Sequence, residues 1–91
     1  MLVKFFAYLR DRTGCKEAQV PYEKDVRTLL HALSDKYGPG LRKKLLSEDG
    51  SQPGPEVIIL VNGRALEHVG GMETPLQPDD VVLIFPVVAG G

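Results

Sequence analysis

Alternating apolar and polar residues predict two strands at the start of the chain. Residues 2–9 alternate and predict a first strand, and Arg10–Gly14 is polar and predicts a turn. Residues 16–22 alternate again, and Pro21 has no N–H to donate, which places this second strand at a sheet edge. The two stretches therefore predict an N-terminal hairpin. The side chains predicted to share one face of the first strand are Val3, Phe5 and Ala7.

A helical period replaces the alternation after Asp25. Apolar residues then recur at the spacing of one helix face, which predicts a helix over residues 26–37 with Asp25 as its N-cap. Gly38 predicts a left-handed stop, and Pro39 should prevent the helix from resuming. The single apolar stripe places this helix on one face of a sheet. It consists of Val26, Leu29, Leu30, Leu33 and Tyr37.

The middle of the chain predicts a loop followed by a second hairpin. Residues 41–46 favour a short helical turn, and residues 48–55 form a polar loop rich in Gly and Pro. Residues 56–61 are strongly apolar and predict a third strand. Asn62-Gly63 is a strong hairpin signal, so residues 64–67 should return as a short strand.

The last strand is the most apolar of the chain. Residues 69–76 predict irregular structure or a single turn, and residues 78–80 turn the chain into the last strand. Val81–Phe85 is a continuous apolar run, typical of a central strand covered on both faces. Regular pairing should stop near Phe85 because Pro86 has no N–H. The order β-β-α-β-β-β predicts an α+β fold, a mixed sheet of four or five strands packed on one long helix, with the last strand beside the first.

Composition limits the chain to one domain over residues 1–91. A net charge of −1 argues against nucleic acid or an anionic membrane surface as the main partner. The basic run Arg42–Lys44 predicts a solvated face. The more specific alternative is that these cations contact an acidic surface of a partner protein. No signal peptide or membrane-spanning run is evident, so the cytoplasm is the expected location.

Few residues offer catalytic or metal-binding chemistry. His31 and His68 lack nearby ligand partners, so we expect no metal site and two solvated side chains. Cys15 is the single cysteine, which excludes an internal disulfide, and it is interpreted as a bystander thiol. Asp79 and Asp80 indicate a turn instead of a catalytic pair. The chain should therefore not be catalytic alone, and its chemistry should depend on partners.

The C-terminal stretch Val87–Gly91 is predicted to be a flexible tail and is the candidate functional segment. It is uncharged, follows directly on the last strand, and ends on Gly90 and Gly91. Without Cβ atoms, two glycines fit a channel too narrow for any side chain. The group delivered would be the Gly91 carboxylate, which must be activated, for instance as an acyl-adenylate, before a nucleophile can take the acyl group. The alternative is a frayed, flexible end without function.

Four features, spread over nearly the whole chain and in order, carry a family resemblance. They are Phe5-Phe6-Ala7 with Arg10 and Gly14, the helical Val26-Arg27-Thr28-Leu29-Leu30, Val61-Asn62-Gly63-Arg64, and Thr74-Pro75-Leu76 through Asp79-Asp80-Val81 to Phe85 and the terminal Gly90-Gly91. Together they resemble the ubiquitin-like β-grasp sulfur carriers of the MoaD/ThiS family. Within that family, the chain is most similar to the small subunit of molybdopterin synthase (MoaD type).

The resemblance implies a function that is completed by other proteins. An E1-like enzyme would adenylate the Gly91 carboxylate with ATP and magnesium, and a persulfide donor would convert it to a thiocarboxylate. The tail would then donate its sulfur in the large subunit of molybdopterin synthase, for molybdenum cofactor biosynthesis. No cofactor would be bound by the chain itself. The residues expected to contact partners are Gly90, Ala89, Val88, Val87, Pro86, Phe85 and Arg10.

Two departures from the family pattern leave the acceptor open. Val87 stands where the family often has a second proline, and the segment Gly38–Pro55 is longer than in the shorter bacterial members. The longer segment resembles relatives that carry sulfur to other acceptors (thiamine, cysteine, tRNA thiolation) or become attached to protein lysines. A third alternative is an interaction module whose glycines have no role.

Overall fold

The computed structural model describes residues 1–87. The strands are β1 (Leu2–Phe5), β2 (Glu17–Gln19), β3 (Val57–Val61), β4 (Arg64–Ala65) and β5 (Val81–Pro86). The helices are α1 (Leu9–Thr13), α2 (Val26–Tyr37) and α3 (Pro39–Leu45), with 3₁₀ turns at Leu66–His68 and Gly71–Glu73. The strands form one mixed sheet in the order β2-β1-β5-β3-β4. The predicted β-grasp architecture is confirmed: a mixed sheet of five strands with α2 as the long helix.

β5 lies at the centre of the sheet, as predicted. It pairs in parallel with β1 and antiparallel with β3. The expectation of burial on both faces was wrong, because burial alternates: Val82 and Ile84 are fully buried, and the residues between them only half-buried. Pairing also continues one residue further than predicted, since Pro86 lies opposite Val57. Proline is tolerated here because the next ladder bond to this side is made by the Val87 amide, which donates to the Glu56 carbonyl, so no N–H of Pro86 is needed.

The core lies between the helices and one face of the sheet. α2 lies beside α3, and its buried side chains are Val26, Leu29, Leu30, Leu33 and Ser34. The sheet contributes Val3, Phe5, Ile59, Val61, Val82 and Ile84 from its inner face. The inner positions thus follow the strand period and the helix stripe that the sequence predicted.

α2 begins and ends at the predicted residues. The Asp25 carboxylate accepts a hydrogen bond from the Thr28 backbone N–H at 2.8 Å, and the Thr28 hydroxyl completes a capping box. The stop at Gly38 differs from the prediction: its φ of 93° and ψ of −176° are not the left-handed helical conformation. Pro39 does not end the helical region either, because it occupies the first turn of α3, where its missing N–H has no partner to lose.

The connection between β1 and β2 is a helix where the sequence predicted a polar turn. β1 ends at Phe5, and Ala7 adopts a φ of 53°, which turns the chain away from the sheet. Leu9 is then fully buried and begins α1, and Gly14 closes the helix in the left-handed conformation. The predicted strands over 2–9 and 16–22 were therefore too long, although their antiparallel pairing and the edge position of β2 are confirmed.

The second hairpin is confirmed at Asn62-Gly63, where both residues have positive φ. Its returning strand β4 spans only Arg64–Ala65, because Leu66 is buried and begins a 3₁₀ turn. The predicted helical turn over 41–46 is part of the longer α3.

The loop after α3 is irregular, as predicted, but it is held at several points. The Asp49 carboxylate accepts hydrogen bonds from the Ser51 backbone and hydroxyl and from the Ser47 hydroxyl, and these bonds lower the pKa of Asp49 to about 2. Gly54 closes the loop against α3: a Cβ there would lie 2.2 Å from the Lys44 carbonyl oxygen. A side chain at this position would have to displace the α3 backbone.

Within residues 1–87, none of the helices is both long and apolar enough to cross a membrane.

The α2 cap gives a first test. We expect Asp25→Ala to lower the free energy of unfolding by about 1 kcal/mol, because it leaves the Thr28 amide without its acceptor. The Thr28 amide also lowers the Asp25 pKa below 3.8, so the contribution of the cap should be present above pH 3.8 and lost as the pH falls through the lowered value. Urea unfolding at neutral and acidic pH measures both effects.

Asp35→Ala is the matched control, because Asp35 lies exposed on the same helix and its carboxylate makes no hydrogen bond within the described residues. It should change the free energy of unfolding by less than about 0.5 kcal/mol. An equal loss in both variants would contradict the role of the capping box.

Candidate functional site

The face of the sheet turned away from the helices carries an apolar surface. We call it the open face, and it consists of Leu2, Phe6, Ile58, Leu60, Val81, Leu83 and Phe85, with Lys4 among them. Ile58 is 46% exposed and lies opposite Phe85 in the ladder, whereas the inner side chains are buried. The other apolar side chains of this face are half-buried, and contiguous apolar surface that stays partly accessible is typical of an interaction site. The open face is therefore a candidate docking surface.

An aromatic stack lies where the open face meets the end of β5. The rings of Phe6 and Phe85 are 4.1 Å apart between centroids and 11° from parallel. Phe6 follows β1, and its amide still donates to the Ile84 carbonyl at 3.2 Å. The stack thus joins the ends of the two parallel strands and holds Phe85 at the root of the C-terminal segment.

Arg10, one of the predicted partner contacts, lies beside this stack. Its guanidinium carbon is 5.9 Å from the centre of the Phe6 ring, and its Nε donates to the Phe5 carbonyl at 3.2 Å. α1 positions this side chain, because the helix folds back over the end of β1. Arg10 and Phe85 therefore both lie next to the Phe6 ring.

The root of the C-terminal segment is fixed on the other side by Glu56. The Val87 amide donates to the Glu56 carbonyl at 2.7 Å, and the Glu56 carboxylate accepts from Lys44 Nζ at 3.0 Å. Lys44 Nζ also lies 5.5 Å from the centre of the exposed Tyr8 ring. The hydrogen bond to Glu56 raises the pKa of Lys44 above its ordinary value.

Sequence reasoning missed the Tyr8–Lys44–Glu56 group. It assigned Tyr8 to a strand and interpreted Lys44 as one of three solvated cations. The only signal in the sequence was that the Arg42–Lys44 run and Glu56 carry opposite charges. Their proximity depends on the packing of α1 against α3, which no local pattern encodes.

The other predicted partner contacts lie at or beyond this root. Pro86 is buried, Phe85 is half-buried and Val87 is 45% exposed. Val88, Ala89, Gly90 and Gly91 lie outside the described residues, so their predicted role stays a prediction.

The remaining titratable residues have structural contacts. Cys15 Sγ lies 3.8 Å from the Tyr37 hydroxyl, and burial together with Cys15 raises the pKa of Tyr37. His68 is exposed, as predicted. The prediction for His31 was wrong, because its ring is half-buried and Nε2 lies 3.0 Å from the Gly50 carbonyl oxygen, against the loop.

Asp80 organises the turn before β5 by accepting hydrogen bonds from Gln77 and Asn62.

Residues 1–87 contain no group of three side chains placed to hold a metal ion. The side-chain contacts in this part of the chain include no pairing of a nucleophile with a general base. What the described residues offer is an exposed apolar face that meets the fixed root of an uncharged segment. This arrangement can present a chain end to another protein.

Comparison with known proteins places the chain in a family. It is 40% identical over 91 residues to small archaeal modifier protein 3 of Haloferax volcanii, covering 98% of this chain and 96% of the relative. It is 41% identical over 66 residues to a putative sulfur carrier protein of Archaeoglobus fulgidus, covering 72% of this chain and 73% of that protein.

The fold comparison agrees with the sequence comparison. The solution structure of small archaeal modifier protein 1 from Methanosarcina acetivorans superposes with a TM-score of 0.82 at 34% identity, covering 99% of this chain and 94% of that chain. The β-grasp, ubiquitin-like fold is thereby shown. The model of the ThiS family matches residues 3–91, and the chain belongs to this family of ubiquitin-like sulfur carriers and modifiers.

Proposed function

We propose that the protein presents its C-terminal carboxylate, at Gly91, for activation by an adenylating enzyme and then carries sulfur on it. The observation that supports this most is the root of the segment. Val87 leaves the central strand beside the open face, fixed by the Glu56 carbonyl at 2.7 Å and by the neighbouring Phe6–Phe85 stack. Membership of the ThiS family supports the same chemistry.

The proposed activation follows from the weak electrophilicity of a carboxylate. An oxygen of the Gly91 carboxylate attacks the α-phosphorus of ATP on the partner enzyme, with magnesium held by that enzyme, and pyrophosphate leaves. The terminal sulfur of a persulfide then attacks the acyl carbon, and AMP leaves with the electrons of the C–O bond. A second thiol reduces the resulting acyl disulfide, which leaves a thiocarboxylate on Gly91 and a disulfide on the donor side.

The length of the segment sets a geometric limit. From Val87 to Gly91 the chain advances four residues, which span at most about 14 Å. A partner must therefore approach the body of the protein closely to reach the carboxylate. The open face ends at the same place, so docking on it would bring the reacting end within reach and raise its effective concentration.

The finer proposal is that the thiocarboxylate serves as the sulfur donor of molybdopterin synthase, with this chain as the small subunit beside a large catalytic subunit. This proposal is supported by the sequence motifs that resemble the small subunit, which include Asp79-Asp80-Val81 and the ending after Phe85-Pro86. Thiamine, cysteine or tRNA thiolation are other acceptors for the same activated end.

A protein modifier is the second candidate. The relative of 40% identity is itself called a modifier protein, which supports this candidate to a similar degree. A lysine Nζ would attack the activated Gly91 carbonyl, AMP would leave, and an isopeptide bond would form. Activation is common to both candidates, and they differ only in the nucleophile that takes the acyl group.

Removal of Gly91 tests the shared step. We expect the variant lacking Gly91 to support no ATP–pyrophosphate exchange by the adenylating enzyme of the host, because the remaining carboxylate stops about 3.5 Å short of its place. The body should unfold at the same temperature as the intact protein, since the described core ends before this residue. Normal exchange by the shortened chain would contradict the proposal.

Mass spectrometry of the protein from its host separates the two candidates. Sulfur in place of one terminal oxygen, located at Gly91, would identify a carrier, and an isopeptide link from Gly91 to lysine a modifier. The C-terminal fragment must be analysed apart from Met72 and Cys15, because oxidation of either adds nearly the same mass.

The open face is tested by Ile58→Asp. A charge placed among apolar contacts should raise the KM for this protein in the exchange reaction about tenfold, or about 1.4 kcal/mol, with little change in kcat. Tyr22→Asp is the control for a charge added at equal exposure, because Tyr22 is 48% exposed against 46% for Ile58 but lies at the opposite end of the sheet. Its hydroxyl donates to the Leu76 carbonyl at 2.8 Å, so thermal unfolding of both variants must first show that the fold is kept. Equal effects of the two variants would exclude the open face as the docking surface.

A further inference from the structure

Four cations gather at the end of the sheet where β5 ends. β1 and β5 run in parallel, so α1 follows β1 at the same end, where β2 also begins. We call Arg10, Arg12, Lys16 and Lys44 the basic rim. Arg10 and Lys16 line one shallow depression together with Asp11, Gly14 and Cys15. On the other side of α1, the Arg12 guanidinium lies 3.2 Å from the place of a Cβ at Gly40, at the start of α3.

Most of the basic rim is electrostatically unpaired. Within residues 1–87 the ion pairs are Lys44–Glu56 and Arg27–Glu73, so Arg12 and Lys16 have no acidic partner there. Neither of these two side chains makes a hydrogen bond in the described part of the chain. Arg12 and Lys16 are both exposed. They are therefore free to meet charges on another molecule.

The two ends of the sheet differ in charge although the net charge is only −1. α1, the start of β2, α3 and the residues beside α3 carry six cations against four anions: Arg10, Arg12, Lys16, Arg42, Lys43 and Lys44 against Asp11, Glu17, Glu48 and Glu56. The opposite end carries three cations against six anions: Lys24, Arg27 and Arg64 against Glu23, Asp25, Glu67, Glu73, Asp79 and Asp80. The cationic end is the one from which the C-terminal segment leaves.

The C-terminal segment itself offers little for recognition. After Val87 its side chains are apolar or absent and carry no charge. Selection of this protein must therefore come from its folded body, and the apolar open face supplies contact area without much directionality. Complementary charge supplies this directionality, because it orients the two proteins as they meet and disfavours partners with a different charge pattern.

We propose that the basic rim docks onto a protein surface with carboxylates around the mouth of the channel that receives the C-terminal segment. This inference rests on the proposed function. A nucleic acid is disfavoured as the occupant, because the acidic opposite end and the net negative charge repel a polyanion. The Lys44 side chain is already oriented by Glu56 and Tyr8. Its contact with a carboxylate of the partner therefore costs little side-chain conformational entropy.

The double variant Arg12→Glu/Lys16→Glu tests the rim. In ATP–pyrophosphate exchange with the adenylating enzyme of the host, it should raise the KM for this protein about tenfold and leave kcat unchanged. The intact protein should lose affinity as salt is raised, and the variant should show a weaker dependence. An unchanged KM and salt dependence would overturn the proposal.

Lys24→Glu/Arg64→Glu is the matched control. It makes the same change in net charge with two exposed residues at the opposite end of the sheet. Its KM should stay within about twofold of that of the intact protein, since the changed charges lie away from the docking end. Equal losses in both double variants would show an effect of net charge alone and contradict a localised rim. Thermal unfolding of both variants confirms that the fold is kept.

A binding measurement keeps the rim testable apart from activation. If the intact full-length protein supports no exchange at all, the proposed function fails. The rim is then judged by titrating the ¹⁵N-labelled protein with a synthetic glutamate-rich peptide. Shifts confined to the amides around Arg12, Lys16 and Lys44 support it, and shifts spread over both ends overturn it. Tighter rim-dependent binding to an RNA hairpin than to the peptide would also overturn it, in favour of a nucleic acid.

Discussion

The pairing of β5 with both β1 and β3 is the constraint on which the rest of the structure depends. Five residues of β3 and four of β1 are in register with this one strand. Its inner side chains Val82 and Ile84 are fully buried, so the strand is fixed by packing as well as by hydrogen bonds. A segment that continues from such a strand begins at a defined point, with a defined direction, beside whatever the neighbouring strands expose.

Sequence patterns predicted the elements that have strong periodicity. The α2 stripe, the Asp25 cap and the Asn62-Gly63 turn were all confirmed, because each is specified by neighbouring residues. Patterns failed where a distant contact decides the conformation. Leu9 leaves the strand to enter the core, and Pro39 begins a helix because the turn at Gly38 redirects the chain. Such outcomes depend on tertiary packing, which overrides local preference.

The candidate site was predictable to a similar extent. The continuous apolar run and the glycine ending predicted a role for the C-terminal segment, and Arg10, a predicted partner contact, does lie near its root. Exposed apolar groups were expected near the root of the segment, but the alternation of burial along β5 was not, so the extent of the open face across the sheet was not predicted. The Lys44–Glu56 pair also depends on how the loop after α3 returns to the start of β3, which brings together residues twelve positions apart in the chain.

Gly54 divides the loop after α3 into a variable part and a fixed end. Residues 47–53 are held mainly by their own hydrogen bonds and by single contacts from Arg27 and His31, so other sequences and lengths can replace them at small cost. Position 54 has no such freedom, because even a methyl group there would meet the Lys44 carbonyl. Divergence within the family can thus remodel this loop without moving the helix that carries Lys44, provided that the glycine stays.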